Sequence, residues 1–261
     1  MLPTNGEPQD LRPGLPEIFS TPKTKQMPVP NSLTIDGPFP GQLAEVIAAE
    51  ADRLGLDLPA AALPGLAAYA SRLWAWNERL NLTRHTDAAR FVARDVTDAA
   101  AVCPQLAVGE RLLDVGTGGG VPGVLLAVLR PDLTVELSDS VGKRARAVAA
   151  IVAEIGLNIP VHERAAQQVV ADATAAGKPF DTLVVRAVAP LAKLLSWFEP
   201  LAASFGRMLI IKGPRWEAEK ADARHRGLLK QVAARRIASW PLPDSEGESV
   251  LLEVSRRERA G

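Results

Sequence analysis

The stretch Leu112-Leu113-Asp114-Val115-Gly116-Thr117-Gly118-Gly119-Gly120-Val121-Pro122-Gly123 decides the fold. An apolar run ends in a carboxylate, and a glycine turn follows. Pro122 stands where a first helical residue would, and its missing N–H costs nothing there. Leu, Ala and Val continue at helical spacing through Leu129. Glycines let the backbone adopt positive φ and let a ligand approach the main chain closely. A strand, a tight glycine loop and a helix N-terminus together make a nucleotide-binding corner.

Two glycine frames overlap in this corner. Gly118-x-Gly120-x-x-Gly123 has the dinucleotide spacing, while Gly116-x-Gly118 places Val121 at the third position. Asp114, directly before the loop, opposes a pyrophosphate and suits a cationic ligand. The run Leu133 to Asp139 reads as a second strand that also ends in a carboxylate, where an acid for ribose hydroxyls is expected. That feature is shared by NAD and S-adenosylmethionine sites and does not choose between them. S-adenosylmethionine, a sulfonium cation without phosphate, fits Asp114 better. Asp114, Gly116, Gly118, Val121 and Asp139 are therefore candidate cofactor contacts.

Outward from the corner, strands are expected at 111–115, 133–138, 159–163, 181–186, 207–212, 235–240 and 249–255. Helices are expected between them at 121–130, 141–156, 165–175, 190–203 and 214–230. Such alternation predicts an α/β fold with a mostly parallel sheet covered on both faces, closed by an antiparallel hairpin at its edge. Before Arg111 the pattern is helical, at about 41–54, 59–79 and 88–102, the last capped by Asp87. Residues 1–40 hold nine prolines and read as a disordered tail. The expected organisation is thus a tail at 1–40, a helical cap at 41–105 and an α/β domain at 106–257.

Bulk properties narrow the class. The chain has 261 residues, 47% hydrophobic and 23% charged, as in ordinary globular proteins. No apolar run reaches membrane-spanning length and no signal-peptide pattern is present, so a cytoplasmic location without a membrane partner is expected. The single cysteine, Cys103, excludes an internal disulfide and reads as a small buried apolar residue. Zero net charge hides an asymmetry: residues 1–140 carry 11 Lys+Arg against 17 Asp+Glu, and residues 141–261 carry 19 against 13. A basic face on the second half is compatible with nucleic acid.

Several separated motifs carry a resemblance. They are Trp76-Asn77-Glu78-Arg79-Leu80-Asn81-Leu82-Thr83; Asp114 to Gly123 with Leu129-Arg130-Pro131; Ser138-Asp139-Ser140-Val141-Gly142-Lys143-Arg144; Val185-Arg186-Ala187 with Leu191; and Lys212-Gly213. In this combination the chain, over about 41–255, resembles the small-subunit ribosomal RNA methyltransferase G family (RsmG, also called GidB). That family methylates N7 of a guanine in the 530 loop of 16S rRNA. The resemblance implies a Rossmann-like class I S-adenosylmethionine-dependent methyltransferase fold: a seven-stranded, mostly parallel sheet with an N-terminal helical cap. It implies S-adenosyl-L-methionine as cofactor, no metal, 16S rRNA or an assembling small ribosomal subunit as partner, and a monomer. Its cofactor contacts fall on Gly116, Val121, Ala165, Ala166 and Arg186. Two positions depart from the family pattern. Ala166 stands where the family usually has Glu, with Gln167 beside it. Arg94-Asp95-Val96-Thr97-Asp98-Ala99 stands where Arg-His-x-x-Asp-Ser is often found.

N7 of guanine carries a free lone pair, so the implied reaction needs no general base and no obligatory catalytic residue. Alignment of N7 with the methyl group supplies the acceleration. Asn81, Arg186 and Lys212 are expected to do the positioning. Arg186 would hold the methionine carboxylate or read guanine O6, and Lys212 would meet RNA phosphate. Ion pairing of Arg186 with a helix acid is the alternative. Arg186→Ala is accordingly expected to abolish transfer with the fold intact. The run Val185 to Pro190 lacks the Asp/Asn-Pro-Pro-aromatic pattern of exocyclic-amine methylation. Two other readings of the whole chain stay open: a non-catalytic RNA-binding or ribosome-assembly factor on this fold, and an NAD-dependent oxidoreductase using the later glycine frame.

Overall fold

The computed structural model describes residues 40–242 and 246–257. The expected tail lies almost entirely outside them. Helix α1 (Pro40–Arg53) opens the described chain, and a short 3₁₀ turn (Ala60–Ala62) leads into α2 (Leu63–Leu80). Then come α3 (Ala88–Arg90), a π-helical segment (Phe91–Val96) and α4 (Thr97–Val102) as one continuous rod. Asp87 caps that rod, its carboxylate accepting from Arg90 N at 2.8 Å.

The α/β part runs β1 (Arg111–Val115), α5 (Gly123–Leu129), β2 (Thr134–Ser138), α6 (Gly142–Glu154), β3 (Val161–His162) and α7 (Ala166–Ala175). It continues with β4 (Phe180–Arg186), α8 (Leu191–Phe198), β5 (Phe205–Lys212), α9 (Trp216–His225), β6 (Val232–Pro241) and β7 (Glu248–Arg256). The seven strands lie in the order β3-β2-β1-β4-β5-β7-β6. The first five are mutually parallel, and β7 pairs antiparallel with both β5 and β6. The order reverses between β1 and β4, so a crevice opens at their carboxyl ends, where open α/β sheets bind ligands. No described helix is long and apolar enough to cross a membrane.

Alternation along the strands assigns each side chain to a face. Leu112, Val184, Leu209 and Ile211 join α1, α2, α4, α5 and α6 in one core. Leu113, Val185, Met208 and Ile210 join α7 and α8 in the other. The N-terminal helices therefore share a core with the sheet. The same parity puts Asp114 and Arg186 on the face of the N-terminal helices, and Lys212 on the opposite face.

Two expected helices are shortened by more than a turn. The helix expected at 190–203 gives way to a 3₁₀ turn, Glu199–Leu201, whose second residue is proline. The helix expected at 214–230 ends at His225. Arg215 and Arg226 are its two caps and Lys230 lies beyond it, so the basic residues from Arg215 to Lys230 do not form one continuous helical face.

Candidate active site

Asp114 organises the glycine loop from beneath. It is 0% exposed, and its Oδ2 accepts from Thr117 Oγ1 at 2.6 Å and from Gly123 N at 2.9 Å. Its other oxygen, Oδ1, is buried without a hydrogen-bond partner. Gly116, Gly118 and Gly120 take φ of +67°, +60° and +107°, conformations that favour glycine. Pro122 caps α5, and Gly123 is its first helical residue.

Asp139 joins the loop to β2. One carboxylate oxygen accepts from Gly118 N at 3.0 Å and the other from Val141 N at 2.8 Å. Each oxygen keeps capacity for a further donor, because a carboxylate oxygen accepts more than one. Val121 is half-buried. Beyond β3, Ala165 caps α7 and is half-buried, while Ala166 is buried in the second core. Ala166 offers no polar side-chain atom, so a ligand contact here runs through the backbone.

Helix α2 and the segment after it reach the loop from above. Tyr69, the only tyrosine, is fully buried and donates from Oη to Gly119 O at 2.8 Å. Leu82 O lies 3.1 Å from where a Cβ on Gly119 would sit. Asn81 ends α2 in the left-handed region at φ +48° and is exposed at the start of this overhang. Thr83 N donates to Asn77 Oδ1 at 2.8 Å, and His85 N donates to Thr83 Oγ1 at 3.0 Å. Tyr69→Phe leaves the buried Gly119 carbonyl without its partner, which costs about 1–3 kcal/mol. A matching fall in urea unfolding free energy, with weaker donor binding, is the expected result.

Arg186 sits at the end of β4 among carboxylates. Its Nη1 lies 2.7 Å from Asp95 Oδ1, and its Nε lies 3.0 Å from Asp98 Oδ2. The alternative raised from sequence, an ion pair with helix acids, is what the structure contains. Asp95 Oδ1 also meets His85 Nδ1 at 2.9 Å. Asp98 Oδ1 accepts from Trp240 Nε1 of β6 at 3.0 Å. Asp95 lies in the π segment, a local widening frequent at functional sites. Burial raises the carboxyl of Asp98 above its ordinary value, and the Arg186 guanidinium opposes that rise.

Lys212 corrects its expected role. It is only 8% exposed, and its Nζ donates to Ala189 O at 2.6 Å and pairs with Glu219 Oε2 at 2.7 Å. The ammonium is committed inside the protein and is not an exposed phosphate contact. Cys103 lies before β1, outside the crevice, and burial pushes its thiol up to about 12, so it is no thiolate nucleophile. Trp74 donates from Nε1 to His85 O at 2.8 Å and packs edge-on to Phe91, a core role.

The two cations singled out from the sequence, Arg186 and Lys212, are thus matched by acids, while Asp114 and Asp139 contribute further carboxylates. A profile described as rRNA small subunit methyltransferase G matches residues 62–244. The chain belongs to the rRNA small subunit methyltransferase G family. Curated members similar to it are the ribosomal RNA small subunit methyltransferases G of three organisms. The Rhodopirellula baltica protein is 42% identical over 73% of this chain and 80% of its own. The Sorangium cellulosum protein is 39% identical over 70% and 76%. The Yersinia pestis protein is 35% identical over 76% and 92%. Among solved structures, MtNAS in complex with MTA and tNA aligns at 14% identity and a TM-score of 0.48, over 83% of this chain and 76% of that one. The fold of this family member is read from its own strand order.

The environment of Asp114 sets a pH dependence. Burial pushes its carboxyl from 3.8 up to about 6. A raised folded-state value means that Asp114 adds stability below the unfolded value, and that this is lost as pH rises through about 6. The swing is about 3 kcal/mol at 1.36 kcal/mol per unit. Urea unfolding of wild type against Asp114→Asn checks it: the wild type loses stability relative to the variant between about pH 4 and 6.

Proposed function

We propose that this chain transfers the methyl group of S-adenosyl-L-methionine to N7 of a guanine in the 530 loop of 16S rRNA, acting as a monomer on rRNA or an assembling small subunit. Family membership supports the rRNA methyltransferase reading. The observation that carries the choice of cofactor is the charge of the crevice. Two carboxylates match Arg186, Glu219 matches Lys212, and Asp114 and Asp139 remain. Such a site repels a pyrophosphate and favours a sulfonium. The unpartnered Oδ1 of Asp114 and the positive-φ glycines fit that ligand.

Gly116, Gly118 and Val121 would cradle the cofactor, Asp139 would meet its ribose, and the backbone at Ala165 and Ala166 would flank it. Bound there, S-adenosylmethionine supplies an electrophilic methyl group. The protein's own part is placement and exclusion of water. The overhang from Asn81 to His85 narrows the crevice, and Arg186, fixed by Asp95 and Asp98, presents a rigid edge.

Thermal shift with S-adenosylmethionine, S-adenosylhomocysteine and NAD tests the cofactor: the first two raise the melting temperature and NAD does not. Borohydride–aniline cleavage and primer extension on 16S rRNA from a deletion strain test the target. Loss of the N7 stop is expected, and its persistence would overturn the assignment.

A further inference from the structure

The loop between β4 and α8, residues 187–190, is bound to the glycine corner by contacts that the reading so far leaves unused. Ala187 takes φ +53°, a left-handed conformation that an L-residue holds only when its surroundings enforce it. The next residue, Val188, occupies the space beside Gly116: a Cβ on that glycine would lie 2.7 Å from Val188 Cγ2. The loop therefore forms the wall of the turn that carries Gly116.

One ion pair secures the α8 end of that wall. Lys212, the last residue of β5, donates to Ala189 O at 2.6 Å. Glu219 of α9 accepts from Leu191 N, the first amide of α8, at 2.8 Å, and the two side chains meet at 2.7 Å. Lys212 is 8% exposed and the Glu219 side chain 27%, so the pair is partly shielded from water. We propose that Lys212 and Glu219 are positioning residues for the methyl-donor site, holding the 187–190 loop against Gly116. The inference rests on the donor-binding reading above and gives Lys212 a role distinct from phosphate binding.

Calorimetric titration of the full chain with S-adenosylhomocysteine, beside steady-state kinetics, tests it. Lys212→Met keeps the apolar stem and removes the ammonium, and Glu219→Ala removes both acceptor roles. Each is expected to weaken donor binding roughly tenfold, the scale of one lost charge-assisted hydrogen bond. The KM for the donor rises in step with the lost affinity, and kcat falls by a smaller factor, because saturation restores occupancy of the donor site. Glu219→Gln still accepts from Leu191 N and gives an intermediate donor affinity. RNA affinity and its salt slope stay at the wild-type value, whereas a phosphate contact would lower the slope by about one.

Donor affinity within twofold of wild type in the folded variants overturns the proposal, as does a lowered RNA salt slope with donor affinity unchanged. If Lys212→Met fails to fold, Val188→Ala decides. It keeps the ion pair and removes the contact with Gly116, so weaker donor binding supports the proposal and unchanged binding overturns it. If the wild type itself binds no S-adenosylhomocysteine, the functional reading fails first and this inference with it.

Discussion

Arg186→Ala is expected to unfold at a markedly lower temperature than the wild type, besides losing methyl transfer. Sequence alone suggested a clean loss of activity on an intact fold. The structure corrects that expectation, because Asp95 and Asp98 are 2% and 3% exposed and both rely on this guanidinium. Removing one member of a buried ion cluster strands the others and costs about 3–5 kcal/mol. Differential scanning calorimetry reads this directly. Adding Asp95→Asn and Asp98→Asn to Arg186→Met leaves no uncompensated charge, so the triple variant regains most of the melting temperature. It does not regain transfer, since the rigid edge of the crevice is gone. An Arg186→Ala protein that melts like the wild type would refute the clamp.

Gly123→Ala is the second change with a large expected effect. A Cβ there would stand 2.3 Å from Leu137 Cδ2, 2.7 Å from Asp114 Oδ2 and 2.8 Å from Asp114 Cβ. Two of the three atoms belong to the Asp114 side chain, whose carboxylate organises the loop, and the third is from a core leucine of β2. Neither neighbour is free to withdraw. Overpacking of this kind costs about 1–3 kcal/mol, and displacement of Asp114 also threatens its bonds to Thr117 and to the Gly123 amide. A fall in unfolding free energy of about 3 kcal/mol is expected, with loss of detectable binding to S-adenosylhomocysteine. Gly109 is the control: its φ is +73°, but nothing lies within 4 Å of its Cβ position. Gly109→Ala therefore carries only backbone strain and leaves donor binding intact.

The stretch from Leu112 to Gly123 made the fold legible because each of its features has one structural use. An apolar strand, positive-φ turn positions and a helix start leave little choice of topology, and β1 lies at 111–115 as expected. Strand bounds elsewhere moved by a few residues, most at β6, which begins at Val232 rather than 235; in β3 only Val161 and His162 pair. The helix expected at 214–230 was overextended because its Arg, Lys and Glu residues favour helix, whereas the chain turns at Gly227, which has φ +77°.

The site was legible on its cofactor side and opaque on its cation side. Glycines and strand-end carboxylates announce themselves locally. Whether Arg186 and Lys212 are free depends on partners distant in sequence: Asp95 and Asp98 on the rod, and Glu219 on α9. Strand parity held one usable signal. Arg186 lies two residues beyond Val184, hence on the same face as the N-terminal helices, where acids were available. Tyr69 had a weaker signal, as a lone tyrosine on the apolar stripe with Leu66 and Leu73. Its link to Gly119 could not be inferred from spacing.

The rod bearing Asp95 and Asp98 leaves the ribosome well before β4 is synthesised, so the two carboxylates wait in water for a counter-ion that arrives with Arg186. Until then their burial is opposed by desolvation. Docking of the rod onto the sheet is thereby tied to completion of β4, and the crevice closes only around a sheet that already contains the strand bearing its arginine. A nascent chain shorter than that lacks both the wall of the donor site and the charge that seats its roof.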